Sequence, residues 1–246
     1  SLFLQSRRAR QKVRGKCCLH GKTRSGRRQQ KGSGGRRKKI LPDFQDKTVL
    51  DLGCGYGWHC KYAIDNGAKY VLGVDISKKM LEVAKSKNND KKIDYRCIAM
   101  EDLSFSKNVF DIIISSLAFH YVKDFKSLVN NISMWLKSGG NLVFSVEHPI
   151  FTANGNQDWY YDENGNIKHF PVDNYFYEGK REAIFLKEPV IKYHRTLTTY
   201  LNTLLENDFE LQHIIEPQPP KEMMNLPGMK DEMRRPMMLL IAARKK

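Results

Sequence analysis

From Leu41 onward the chain alternates short apolar runs with amphipathic stretches, and glycines or polar clusters separate them. Five runs, TVLDL from Thr48, YVLGVD from Tyr70, IDYRCI from Ile93, FDIIISS from Phe110 and NLVFSVE from Asn141, have the length and branched apolar content of strands buried on both faces. In DFKSLVNNISMWLKSGG the positions Phe125, Leu128, Val129, Ile132, Trp135 and Leu136 fall on one helical face. Asp124 is placed to cap the start of that helix and Gly139-Gly140 to stop it. Strand and helix alternating in this way predict a parallel sheet covered on both sides.

After Glu147 the alternation breaks. Residues 148–193 hold 10 of the chain's 26 Phe, Trp and Tyr residues, and Asn164-Gly165 between WYYD and IKHF predicts a hairpin, so this region is expected to be an inserted cap. The alternation resumes with a helix over RTLTTYLNTLLENDF, where Leu197, Tyr200, Leu201, Leu204 and Leu205 share a face. Two further strands follow, ELQHIIEP and PMMLLIAAR. No internal repeat is present. A chain of 246 residues fits one good-sized domain, read as 41–246 with its insertion at about 148–193.

The formal net charge of +15 suggests nucleic acid until it is located. Residues 1–40 carry 15 Lys and Arg and no acid, which leaves 27 basic against 27 acidic residues in the rest. The body is therefore neutral. The Gly, Ser and Arg content of the first forty residues cannot bury enough apolar surface to order a chain, and they are expected to be a solvated tail or an expression remnant rather than a nucleic-acid arm. Five cysteines, with Cys17 and Cys18 adjacent, do not read as a disulfide framework. With no membrane-length apolar run, the expectation is a cytoplasmic protein without a membrane partner.

The candidate chemistry begins at VLDLGCGYGWHCKYAIDNGAKYVLGVDIS. Gly53, Gly55 and Gly57 follow directly on a strand, so the chain can turn sharply and a ligand can approach its amides. Trp58 stands where a pyrophosphate fingerprint wants its third glycine, and no triphosphate-binding pattern occurs at this turn. What remains is a ligand with a ribose and a base but no phosphate. Asp75, closing the next strand, can accept from ribose hydroxyls, and Asp51 can hold a cationic amino group. S-adenosyl-L-methionine has all these parts. Taken singly, the glycines are explained by a tight turn and Asp75 by a helix cap; their joint spacing favours the ligand.

VLDLGCGYG, VDIS, AMEDLSF and FDIIISSLAFHYVKD resemble the successive motifs of class I S-adenosylmethionine-dependent methyltransferases, over roughly Thr48 to Glu147. The remainder is similar to the C-terminal half of bacterial small-molecule enzymes of the methyltransferase-11 type. The resemblance implies an α/β, Rossmann-like, seven-stranded and mostly parallel sheet with its last strand antiparallel. It implies S-adenosyl-L-methionine as cofactor, S-adenosyl-L-homocysteine as product and a small-molecule methyl acceptor as partner. Carried over by motif, Gly53, Cys54 and Gly55 face the methionine portion and Asp75 the ribose. Ile76 and Met80 take the adenine face, Met100 and Glu101 its edge, and Ser116 and Leu117 lie beneath the sulfonium. Many relatives have an aspartate where Ala99 stands, which leaves the exocyclic amine to Glu101 or a backbone carbonyl.

Methyl transfer from a sulfonium requires alignment, exclusion of water and, for some acceptors, removal of a proton. His120 and His148 follow the fourth and fifth strands at their carboxyl ends, and are candidate bases or acceptor ligands against the ordinary reading of a lone histidine as structural. Tyr193, His194 and Arg195 form a second polar cluster, with Arg234-Arg235 a third; either is suited to an acidic acceptor, or to covering apolar surface. Cys54 fits the turn by its small size, and no metal site is expected. Two other functions compete: an RNA or DNA methyltransferase using the basic arm, which the neutral body disfavours, and a non-catalytic cofactor-binding protein.

Overall fold

The computed structural model describes residues 40–185 and 188–246. The basic stretch read as a tail lies outside the described residues except for Ile40. Strands β1 (Thr48–Leu52), β2 (Tyr70–Asp75), β3 (Ile93–Cys97), β4 (Phe110–Ser116) and β5 (Leu136–Glu147) come first. Short strands β6 (Tyr160–Tyr161), β7 (Ile167–His169), β8 (Gly179–Phe185) and β9 (Glu188–His194) follow, then β10 (Phe209–Ile215) and β11 (Met238–Lys245). One seven-stranded sheet runs in the order β10-β11-β5-β4-β1-β2-β3. β1 to β5 pair in parallel, while β11 is antiparallel to both of its neighbours, β5 and β10.

Period-two alternation splits the sheet's side chains between two cores. Leu50, Leu52, Ile113, Leu142 and Phe144 face α3 (Phe125–Trp135) and α5 (Leu197–Leu205), which bury Leu128, Trp135, Tyr200 and Leu204 against them. Val49, Val71, Ile112, Ile114 and Val143 face the other way, toward Ala63 of α1 (Trp58–Asp65) and Leu81 and Ala84 of α2 (Lys78–Lys87). Both layers are needed because a parallel strand is apolar on both sides.

Two details differ from the sequence pattern. The helix α3 ends at Trp135, not at Gly139, because the amides of Asn108 and Val109 bond the carbonyls of Met134 and Trp135 at 3.0 and 2.8 Å and draw the chain onto β4. Leu136 then pairs with Phe110 and Asn141 with Ile112, so residues 137–140 bulge from the strand, with Gly139 at φ 73°. On α5, Leu205 lies at the solvent rim, 48% exposed, and Thr203 is buried in its stead. Asp124 caps α3 as expected, accepting from the Ser127 amide at 2.9 Å.

Between β5 and α5 the chain forms α4 (Pro149–Ala153) and two hairpins, β6-β7 and β8-β9. The Asn164-Gly165 turn closes the first: Asp162 accepts from the amides of Asn164 and Asn166 at 3.1 and 2.8 Å, and Gly165 takes φ 78°.

Phe144 is fully buried in β5, with its ring centroid 5.1 Å from that of Phe119. Phe144→Ala is expected to cost about 3–5 kcal/mol in urea unfolding, the loss typical of an emptied aromatic core site.

Candidate active site

The glycine turn hangs from the end of β2. The amides of Gly53 and Cys54 both bond the Val74 carbonyl at 2.9 Å, and that of Gly55 bonds Asp75 Oδ2 at 2.8 Å. Asp75 Oδ1 accepts from Ser77 at 2.8 Å, and it is Ser77, not Asp75, that caps α2 by accepting from Met80 at 3.3 Å. Each carboxylate oxygen keeps a lone pair, so Asp75 is oriented by the backbone and can still accept from two hydroxyls.

The three glycines, all at positive φ, do different work. A Cβ on Gly53 would lie 2.4 Å from Ala118 Cβ, and one on Gly57 2.3 Å from the Tyr95 hydroxyl. Those two are bare because protein packs on them. At Gly55 the nearest atom to such a Cβ is Met80 Sδ at 3.8 Å, so only there does the open face look onto the crevice. Met100 Cε, 3.4 Å from the same construction on Gly53, borders the turn from the other side. Ile76 stands at the rim, 76% exposed, and Glu101 is exposed on the short helical turn at Met100–Asp102. The structure thus gathers Gly53, Gly55, Asp75, Met80 and Met100 about one loop. Cys54 contributes its backbone; its sulfur is buried toward Gly73 and Cys60.

Asp51 lies beneath the turn, 1% exposed, with Oδ2 accepting from the Cys60 thiol at 3.3 Å and Oδ1 buried without a hydrogen-bond partner. Burial pushes its pKa up to about 7, and the nearby Asp75 charge adds to the rise. An orphaned carboxylate oxygen of this kind is suited to a cationic group. The Cys60 thiol is held well above its usual range, by its hydrogen bond with Cys54 first and by burial second, so it is no nucleophile.

The exit of β4 supplies the adjoining wall. The Leu117 amide bonds the Ser145 carbonyl at 2.9 Å, and Ser116 Oγ lies 3.4 Å from Ser145 Oγ. Leu117 sits at φ 54°, a left-handed conformation that costs a leucine about 1–2 kcal/mol and brings Ala118 down on Gly53.

The histidines share one feature, an occupied Nδ1. His120, 1% exposed, accepts there from the Glu147 amide at 3.4 Å. His148 accepts from Ile150 at 3.1 Å as the cap of α4, and its Nε2 is 2.9 Å from Glu216 Oε1. In His194, Nε2 meets the Tyr175 carbonyl at 2.8 Å and Nδ1 the Thr152 hydroxyl at 2.7 Å. An amide can only donate and a carbonyl only accept, so the neutral rings carry their proton on Nε2. Burial lowers the pKa of His148 and of His194, which keeps both neutral at pH 7.

The second cluster converges only in part: the Arg195 guanidinium lies 6.0 Å from the Tyr193 ring. Tyr193 faces away from Lys192 and His194 on the alternating strand β9. Arg195 is buried and donates to the carbonyls of Phe119, Tyr193, Val122 and Lys123, with its guanidinium 5.2 Å from the Phe125 ring. Arg235 is enclosed by Phe151, Trp159 and Phe170 and paired with Glu232 at 2.9 Å. Both arginines already have partners. A groove of about 430 Å³, lined by Lys123, Lys126, Thr199 and Glu206 among others, lies between α3 and α5, away from the glycine turn. Sequence reasoning passed over Tyr95, Ala118 and the buried group Glu147, Gln157 and Lys192.

A sheet of this order, with a glycine turn at the carboxyl end of β1 beside the point where the strand order reverses, is the architecture of a Rossmann-like methyltransferase. Residues 50–144 match the family model described as a methyltransferase domain. A crystal structure from Listeria monocytogenes, assigned to the S-adenosylmethionine-dependent methyltransferases, is 54% identical, with TM-score 0.82 over 85% of this chain and 94% of that one. An S-adenosylmethionine-dependent methyltransferase from Mesorhizobium loti is 39% identical, with TM-score 0.77 over 84% and 94%. The chain belongs to the S-adenosylmethionine-dependent methyltransferase family. A ubiquinone biosynthesis O-methyltransferase from Chromobacterium violaceum is 39% identical over 103 residues, which is 41% of this chain and 44% of that protein.

Two outcomes are expected at the cradle. Gly55→Ala should cost about 1–2 kcal/mol of stability from its left-handed backbone, yet weaken S-adenosylhomocysteine binding about tenfold or more in calorimetry; Gly53→Ala should destabilise further through the Ala118 clash. For Asp51 the folded pKa is raised, so the native state holds the proton more tightly and stability falls as pH rises from about 4 to about 7. Asp51→Asn should therefore gain thermal stability over the parent increasingly between about pH 5 and pH 8, while its affinity for S-adenosylhomocysteine falls.

Proposed function

We propose that this protein transfers a methyl group from S-adenosyl-L-methionine to an O, N, S or C nucleophile of a small molecule. When bound, the cofactor supplies a methyl group already activated on a sulfonium. The orphaned Oδ1 of Asp51 under an open Gly55 carries the reading, because it leaves a negative atom and bare backbone where an amino acid and a ribose would lie. Asp51 would accept from the ammonium and Asp75 from the ribose hydroxyls. Ile76 and Met80 would flank the adenine, with Met100 and Glu101 at its edge. Ser116 and Leu117 would floor the methyl end, and the insertion would exclude water from the acceptor side.

His120 would not act there as a base through Nδ1, since the Glu147 amide occupies it. His148, His194 and Arg195, whose polar atoms are engaged by the fold, would hold the insertion and the turn after β4 rather than touch the acceptor. With no base of its own at hand, the site would favour acceptors that arrive as good nucleophiles. Among the described residues no helix is long and apolar enough to cross a membrane, and no group of His, Cys, Asp and Glu is arranged to hold a metal.

The test is calorimetry with S-adenosylhomocysteine, followed by transfer of labelled methyl to a panel of phenols, amines and thiols. Binding that is lost in Asp75→Ala, together with turnover of at least one acceptor, is expected. A parent protein that takes up no S-adenosylhomocysteine would overturn the assignment, and uptake without any turnover would leave a binding protein in place of an enzyme.

A further inference from the structure

Glu147 ends β5 at the carboxyl edge of the sheet with only 3% of its surface exposed. Lys192 on β9 is 1% exposed and donates to both carboxylate oxygens, at 2.9 Å to Oε1 and 2.8 Å to Oε2. Gln157, between α4 and β6, closes a triangle: its Nε2 donates to Glu147 Oε2 at 2.7 Å, and its Oε1 accepts from Lys192 at 2.9 Å. The backbone of Gln157 is held at φ 50°, a left-handed conformation unfavourable for glutamine. From this triangle a path of contacts leads to the cradle. The Glu147 amide reaches His120, and Ala118, two residues before His120, closes on Gly53.

Cohesion alone is a poor reason for such a group, because a buried ion pair rarely stabilises a fold more than apolar residues of the same size would. Its distinctive property is direction. Three mutually satisfied polar groups accept one geometry, whereas apolar faces tolerate many. The insertion is tied within itself by His194 on Thr152, and it meets the body again at the exit of β9, where Arg195 donates to the carbonyls that follow β4. Polar contacts of this kind can be rehydrated when they part, whereas parted apolar faces leave their surface to water.

We infer that Glu147, Lys192 and Gln157 are positioning residues that couple the glycine turn to the 148–194 insertion, so that filling the adenosine site sets the insertion over the acceptor side. The inference rests on the function proposed above. A ligand on Gly53 to Gly55 favours the arrangement with Ala118 seated, and that arrangement is continuous through His120 and Glu147 with the seated insertion. By reciprocity a seated insertion tightens the cradle.

Hydrogen–deuterium exchange of the whole chain with and without S-adenosylhomocysteine tests this. The compound should slow exchange about fivefold or more at residues 157–161 and 188–194. In the uncharged double variant Glu147→Gln/Lys192→Met that protection should vanish and calorimetric affinity should fall by about the same factor as the lost protection, a quantitative match that a merely structural role would not produce. Gln157→Gly suits the local φ, strands no charge and should also lose the protection, so it carries the test if the double variant does not fold. Protection absent from a parent that binds the compound, or retained in a folded variant, overturns the inference and leaves the proposed function standing. A parent that does not bind the compound overturns that function, and the coupling with it.

Discussion

Three successive amides fastened to the end of one strand set the geometry of the whole site. With Gly53 and Cys54 on the Val74 carbonyl and Gly55 on the Asp75 carboxylate, the turn is held by the protein before any ligand arrives. The same bonds aim Asp75, and the positive φ angles they require admit glycine and little else. Close packing of Ala118 and Tyr95 on two of those glycines then ties the turn to β4 and β3. A cradle made in this way loses little freedom on binding, which is where affinity for a small ligand is gained.

Beneath it Asp51 is kept under tension of another sort. A carboxylate buried near the carboxyl end of β1 weakens the native state at neutral pH, and a fold selected for stability alone would place an asparagine or an apolar residue there. Its Oδ1 is left without a partner beside a turn otherwise held by backbone amides. The insertion is seated differently, with buried polar side chains from distant segments in place of backbone. The turn is thus fixed by sheet geometry, the insertion by side-chain pairing.

Much of this was legible in the chain. Apolar runs located the seven sheet strands, and the glycine spacing located the turn that Asp75 holds, because both depend on neighbours close along the chain. What each glycine is bare for was not legible, since Ala118 and Tyr95 lie far along the chain from Gly53 and Gly57. The helix end at Trp135 was overruled by β4, whose preceding residues claim the last helical carbonyls. His120 and His148 stood out by position, but the tautomer that decides their chemistry depends on which amide meets Nδ1. The triangle of Glu147, Gln157 and Lys192 left no trace, because a lone Lys in a hairpin strand reads as a solvated face until the fold encloses it.

The strand β11 lies between β5 and β10 and is antiparallel to both, so the sheet cannot be completed in the order in which the chain is made. During synthesis β5 must wait, with one flank unpaired, while residues 148–237 are added, and β10 has no place to dock until β11 emerges. Such a flank is a template for strands of other nascent chains. The glycine turn is built from strands made earlier, whereas the edge of β5 that adjoins the insertion is paired only after the final strand has slotted in.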